Sequence, residues 1–394
     1  MTTDQKLRER LDDVHVPDAA AAEERSWRVV QAAHASRGRA PSRRRVRLAL
    51  APAALVLVGL LVATSGTAIG DWLEDLTHPG RKDANPALSS LPAHGGLLVT
   101  SPRGPWIVQR SGSKRLLGSY GDAAWSPRGL FVAVTEGHQL VAVEPGGRVR
   151  WTVARPTPPS RPSWSPSGFR IAYVTAGTLR LVAGDGTGDR LLAPSAAEAR
   201  PAWRPGPGHV LAYADARGRV HVTDADARRE LWRSRPGAVP RTVAWSADGR
   251  RIVVLAPTAM RIYDGRGTLL RTLRAPLYDA RFAPRGHRLA LARATGAGRR
   301  SDVSLLDAER GDAPPAPLFV GSGELTDLAW SPDGRWLLVG WPSADQWVFV
   351  RADGRRRGVV AIANVRRQFS PGHPTTGAFP HVEGWCCARR GAPG

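Results

Sequence analysis

Cysteine is almost absent from this sequence. Cys386 and Cys387, adjacent near the end of 394 residues, supply neither a disulfide framework nor a metal box, so the fold must rest on a packed core. Lysine is nearly missing too, with Lys6, Lys82 and Lys114 the only three among 56 basic residues. A net charge of +22 carried almost wholly by arginine reads as compositional drift on solvated faces or as a surface for an anionic partner, and no nucleic-acid partner is expected. His-Glu-x-x-His, Cys-x-x-Cys and the Gly-x-Ser-x-Gly elbow are all lacking. Histidines 138, 209, 221, 287, 373 and 381 are scattered, and a cluster would need convergence in space. No catalytic residue, metal site or cofactor is therefore expected.

What is abundant is a repeated turn. Trp330-Ser331-Pro332-Asp333-Gly334 has relatives in Trp125-Ser126-Pro127-Arg128-Gly129, Trp164-Ser165-Pro166-Ser167-Gly168, Trp203-Arg204-Pro205, Trp245-Ser246-Ala247-Asp248-Gly249 and Phe282-Ala283-Pro284-Arg285-Gly286. Proline presets φ in such a turn and glycine accepts φ > 0. The marks recur at roughly 40 residues, the period of four-strand propeller blades. After each mark come two apolar strands, such as Ile252-Val253-Val254-Leu255 and Arg261-Ile262-Tyr263, which are read as half-buried and alternating. A glycine hairpin such as Asp264-Gly265-Arg266-Gly267 and a last strand complete the unit. Asp185-Gly186-Thr187-Gly188-Asp189, faintly like a calcium loop, is read as one of these hairpins.

The two ends of the array complete each other. Leu97-Leu98-Val99-Thr100, Trp106-Ile107-Val108 and Arg115-Leu116-Leu117 lack a mark before them, while His381-Val382-Glu383-Gly384-Trp385 has no strands after it. Joined, they make a seventh blade and leave no open sheet edge. The expected fold is all-β, a seven-bladed and alternatively six-bladed β-propeller over residues 96–388.

The first 95 residues read differently. Residues 1–47 form a polar tail, in part helical or disordered, where Asp18 can cap a helix presenting Trp27, Val30 and His34 on one face. Arg43, Arg44, Arg45 and Arg47 then precede an uncharged run from Leu48 to Gly70, long enough for one transmembrane helix. Positive charge stays inside, so the run is read as an uncleaved signal anchor with a cytoplasmic tail and an extracytoplasmic propeller. Residues 71–95, rich in proline and glycine, are read as a linker.

The Trp-Ser-Pro-Asp-Gly turn followed by an Ile-Ala-Tyr-like strand resembles the TolB-type propeller repeat, related to WD-type repeats, over roughly residues 97–387. That resemblance implies a binding platform in the bacterial envelope, or a gating domain of a peptidase. Two features depart from it: an anchor stands where a TolB protein has a cleaved signal, and seven blades are counted where that protein has six.

Three function classes follow: a membrane-anchored binding platform, a transmembrane sensor signalling through its tail, and a propeller lyase or glycosidase. The first needs only what is visible and is preferred. Strand bookkeeping puts the marker turns and glycine hairpins on one face and the longer irregular loops on the other. Those loops carry Arg155, Arg161, Arg299, Arg300, Arg366 and Arg367, with Trp341 as an exposed aromatic candidate, suiting an envelope protein or an anionic envelope polymer. Cys386 and Cys387 are either thiols or a vicinal disulfide. A reporter fused after Gly394 is expected to be active only in its extracytoplasmic form; activity of a cytoplasm-only reporter at that position reverses the topology.

Overall fold

The computed structural model describes residues 88–295, 300–310, 313–354, 358–370 and 377–387. The signal anchor and Arg43, Arg44, Arg45 and Arg47 lie outside the described residues. Within them the chain forms seven four-stranded antiparallel sheets, arranged as a closed seven-bladed propeller. The inner strand of each blade runs into a marker aromatic. In ring order these strands are His381–Cys386, Ala123–Trp125, Pro159–Trp164, Ala202–Trp203, Thr242–Trp245, Leu277–Phe282 and Thr326–Trp330. Each touches the next, and the last touches the first.

The first blade is the composite one. His381–Cys386 pairs with Gly96–Ser101, setting Leu97 opposite Trp385 and Thr100 opposite His381. Gly96–Ser101 in turn pairs with Gly104–Val108, and that strand with Lys114–Leu116. The blade is covered from the side by residues expected in the linker: Leu88, Leu91 and Ala93 are buried in one cluster with Trp106, Trp347, Phe369 and Trp385. The packed domain therefore begins ahead of Gly96, because these apolar side chains cap an otherwise open cluster.

The marker turn is built by its serine. In the second blade the Gly129 N–H donates to Ser126 O, the Ser126 N–H to Phe131 O, and Ser126 Oγ accepts the Phe131 N–H at 2.9 Å. Ser165, Ser246 and Ser331 accept in the same way from Arg170, Arg251 and Trp336. All four serines are buried, and Gly129, Gly168, Gly249 and Gly334 take φ of 67 to 79°, where a Cβ is costly.

The middle strands depart from the expected alternation. Ile171 to Thr175 and Ile252 to Ala256 are buried on both faces. A blade is sandwiched between two neighbours, so its middle strands meet protein on each side. Val253, Leu255 and Ile262 of the fifth blade pack with Leu277, Leu289 and Leu291 of the sixth. Alternation survives in the outermost strands, such as Val149–Ala154 and Leu269–Arg274, which have one neighbour and face water.

Polar bonds join the blades as well. Trp203 Nε1 donates to Ser163 O, Trp245 Nε1 to Ala202 O and Trp330 Nε1 to Arg281 O, each acceptor standing just before the preceding blade's marker aromatic. Trp330→Phe removes one such bond and part of the ring volume. It is expected to cost about 2–4 kcal/mol, roughly 1 from the hydrogen bond and the rest from packing, measured by denaturant unfolding. A loss under about 0.5 kcal/mol would make the indole bond ornamental.

Candidate functional site

Because strands alternate in direction, marker turns and outer hairpins share one face, and the loops between second and third strands share the other with the connectors between blades. The inner strands surround the axis, and the residue three before each marker aromatic recurs as a polar group: Asp122, Arg161, Arg200, Thr242, Asp279 and Asp327, with Val382 the exception. Arg161, Asp279 and Asp327 sit at irregularities, and Val382 lies beside one. Register shifts interrupt the pairing at Ser160/Ser163, Leu277/Asp279, Thr326/Leu328 and opposite Leu98/Val99, and Arg161 and Asp327 have φ of 52 and 51°. A bulge re-aims side chains without ending the strand.

These residues form ion pairs and hydrogen bonds, within and across blades, at the connector-side mouth of the channel. Asp327 pairs with His381 Nδ1. Asp279 Oδ2 accepts from Arg281 Nε at 3.0 Å and from the Leu328 N–H of the next blade at 3.0 Å, while Oδ1 takes the Ala280 N–H. Arg200 of the fourth blade reaches over the axis to Glu383 of the first at 2.8 Å and to Ala123 O of the second. Glu383 also accepts from Thr100 Oγ1, and Asp122 accepts the Arg161 N–H at 2.8 Å.

In every pair the acid is the buried partner and the base the open one. Asp327 keeps 6 % of its side chain exposed against 52 % for His381, and Glu383 keeps 10 % against 29 % for Arg200. The same order holds for Asp279 with Arg281 and Asp122 with Arg161. The mouth therefore presents N–H donors to whatever enters, while the carboxylates behind them hold the cations in place.

Protonation follows. Burial acts to lower the His381 pKa, but the hydrogen bond and charge of Asp327, with the charge of Glu383, outweigh it and raise it. The charge of Asp279 raises the Arg281 pKa against burial, so that group stays charged.

The outer residues expected to bind are spread around the ring. Arg155, between the second and third blades, ion-pairs with Asp189, which also accepts from Arg180 at 2.9 Å and from Tyr173 Oη at 2.6 Å. Its side chain is mostly enclosed. Arg300 is exposed at the start of strand Arg300–Asp307, and Arg299 lies outside the described residues. Arg366 and Arg367 belong to the short helix α1 (Val365–Phe369) between the seventh and first blades. Arg366 is tied to Asp345 and Pro342 O and lies over the Phe379 ring, while Arg367 is exposed.

The exposed-aromatic reading of Trp341 is corrected: its indole is buried, donates to Ser322 O at 2.6 Å and meets the edge of Phe319. Its strand ends one residue later than the loop was expected to begin. Arg161 alone among the expected residues lines the channel. A polar residue three before each marker was a signal for the others, legible only once the repeats are aligned on that aromatic. Cys386 and Cys387 are joined to each other, with their sulfurs against Ser126 O and Pro127 O of the neighbouring marker turn. A cleft of about 240 Å³ between Pro102, Arg103, Gly104, Leu116, Ser119 and Tyr120 holds no acid–base pair and is the poorer candidate.

Residues 316–350 match the family model of the WD domain, G-beta repeat. That segment joins the outer strand of the sixth blade to three strands of the seventh, so the sequence repeat runs out of phase with the blade. No curated protein matches the chain. Among solved structures it is similar to Kluyveromyces lactis Hsv2 with complete loop 6CD at 16% identity and TM-score 0.50, covering 68% of this chain and 94% of that one. Kuenenia stuttgartiensis hydrazine synthase matches at 16% identity and TM-score 0.46 over 59% of this chain and 76% of that one. A mitotic checkpoint complex chain matches at 17% identity and TM-score 0.48 over 61% and 78%. At such identities the likeness is one of fold.

His381 is expected to titrate above the ordinary histidine value of about 6.5. The stability it contributes is then fully present below that unfolded value and lost as pH rises through the raised folded one. Asp327→Asn should bring its NMR titration midpoint down; an unchanged midpoint would remove Asp327 as the cause.

Proposed function

We propose that this chain is an anchored binding platform, held to the cell membrane by residues 48–70, with residues 1–47 cytoplasmic and a TolB-like propeller displayed outside. Its partner is an envelope protein received at the connector face, and binding there requires no chemistry. The observation that carries the reading is the ordering of the channel ion pairs, buried acids behind open bases. Such a surface offers directed hydrogen bonds to single carboxylates. Its near balance of charge gives a densely charged polymer little net attraction, which favours a protein over an anionic polymer.

Chain direction supports the same face. Gly95 leads into the first blade and Cys387 leaves it at the marker-turn side, where a Cβ on Gly95 would meet Cys386 O at 2.3 Å. Entry to and exit from the first blade thus both lie on the marker-turn side, away from the connector face. The WD match adds a repeat type consistent with a protein-interaction platform.

Retention of the purified propeller on isolated envelope material tests this. Arg161, Arg200 and Arg281, the open bases of the channel pairs, changed together to glutamine in a variant that keeps the wild-type melting temperature, should lower retention by about tenfold, equivalent to about 1.4 kcal/mol. Changing Arg128, Arg285 and Arg335 on the marker-turn face should alter it less than twofold. Equal losses would reduce the effect to net charge, and retention that survives proteolysis of the envelope would point to a polymer.

A further inference from the structure

On the marker-turn face, side chains from two neighbouring blades form a chain of hydrogen bonds that the platform reading does not use. Ser167, in the third blade's marker turn, stands with Oγ 2.9 Å from Nε2 of His209, and Nδ1 of His209 lies 2.5 Å from Oδ2 of Asp226. His209 closes the fourth blade's marker turn, and Asp226 belongs to that blade's outer hairpin. The Ala225 N–H donates to His209 O at 2.9 Å, so backbone structure sets imidazole and carboxylate beside each other.

The repeats decide where the protons are. Ser246 and Ser331 donate to Asp248 and Asp333, two residues on, at 2.6 Å each, and those carboxylates can only accept. Ser165 occupies the same place, and Ser167 stands where those aspartates stand, 2.9 Å away. Ser167 Oγ thus accepts from Ser165, and also from the Phe169 N–H at 3.2 Å. Its own proton is left to point at His209 Nε2. His209 then carries its proton on Nδ1, facing an ionised Asp226. Burial acts to raise that carboxyl, but the hydrogen bond from His209 and the charge and hydrogen bond of Arg170 hold it below its usual range. Arg170 Nε, at 3.2 Å from Oδ1, occupies the second oxygen.

The ring contains its own comparison. Asp248, His287 and Glu309 occupy the corresponding places between the fifth and sixth blades, but there both carboxylates face Nε2, Asp248 at 3.6 Å and Glu309 at 3.1 Å, and Nδ1 has no partner among the described residues. There a carboxylate stands where Ser167 puts a hydroxyl. The scaffold is shared and the nucleophile is particular to one site.

We propose that Ser167 is an acyl-transfer nucleophile, with His209 as its general base and Asp226 as the positioning residue, acting on esters of short apolar acyl groups. Ser167 is exposed, and Phe169, 68 % exposed two residues along the same turn, offers apolar surface to the acyl chain. As Oγ attacks the carbonyl carbon, its proton passes to His209 Nε2 and the π electrons move onto the carbonyl oxygen. The Ser167 N–H, engaged by no hydrogen bond among the described residues, can donate to that oxyanion. Collapse breaks the ester C–O bond, and the leaving alkoxide takes the proton from Nε2. Water, deprotonated by the same nitrogen, then releases the acid and restores the hydroxyl.

The full chain should be labelled by a fluorophosphonate at Ser167, located by peptide mass spectrometry, and should hydrolyse p-nitrophenyl butyrate. Ser167→Ala, at an exposed turn position, should lose the label and hydrolysis while keeping the wild-type melting temperature. His209→Gln should slow hydrolysis by about 10²-fold. Asp226→Asn should lower kcat with KM unchanged, and Asp226→Glu should restore part of it. Ser111→Ala, in the first blade's outer hairpin, should change nothing. Hydrolysis by the wild type no faster than by Ser167→Ala, or labelling at another residue, overturns the proposal.

Discussion

The structure depends on the marker aromatic at the seam between blades, whose indole N–H, at Trp203, Trp245 and Trp330, is given to a carbonyl on the inner strand of the blade before it. It serves two roles. The ring fills the space between two sheets, and the N–H fixes how far one sheet can slide along the next. Where Phe282 replaces tryptophan the donor is gone, and Trp125 and Trp164 leave theirs without a partner among the described residues. At those joints other bonds cross the seam: Arg115 to Gly146 O, the Arg161 N–H to Asp122, and Arg241 to Leu277 O. Trp151 and Trp232 add the same device at the rim, donating to Gly184 O and Gly265 O of the following blades at 3.0 Å. Gly186 and Gly267 lie so close under those rings that a Cβ would come within 2.8 and 2.7 Å of an indole carbon.

The arginine-rich composition also acquires a structural account. Arg190 donates to Ala225 O, Arg288 to Ala352 O, Arg271 to Ala313 O and Arg115 to Gly146 O, each reaching from one blade to a hairpin of the next. A guanidinium, planar and with several fixed donors, can satisfy a neighbour's carbonyl while keeping another edge in water. A lysine ammonium on a flexible stem orders less for the same contact. Part of the positive charge thus lies in seams between blades, which a count of net charge treats as free surface.

Much of the architecture was legible because its signals are local. Ser331 to Gly334 specify a turn within five residues, and the complementary fragments at Leu97 and Trp385 specify closure by simple absence. The periodicity of the middle strands was misleading, since burial on both faces is a property of stacked blades and not of a strand. The sites were harder to read for a related reason. Asp279 finds its partner two residues away, but the Leu328 N–H that fixes it belongs to the next blade. His209 and Ser167 are 42 residues apart and meet only because neighbouring marker turns lie side by side. Trp341 was misplaced because an aromatic at the end of an apolar run looks the same in sequence whether the strand stops before or after it.

The composite blade has a consequence for the order of events in folding. Leu97 is among the first propeller residues to leave the ribosome, and its partner Trp385 among the last. Every other inner strand finds its sheet within a few residues, so six blades can assemble as they emerge. The first must wait with one edge of Gly96–Ser101 unpaired. Closing so long a loop carries an entropic cost that nearby contacts do not, though that cost grows only slowly with length. Contacts so remote in sequence are the ones that slow a fold. The chain thus passes through a state that is nearly complete and still open at one seam, and that seam is where a chaperone, or a second copy of the chain, would find the exposed strand.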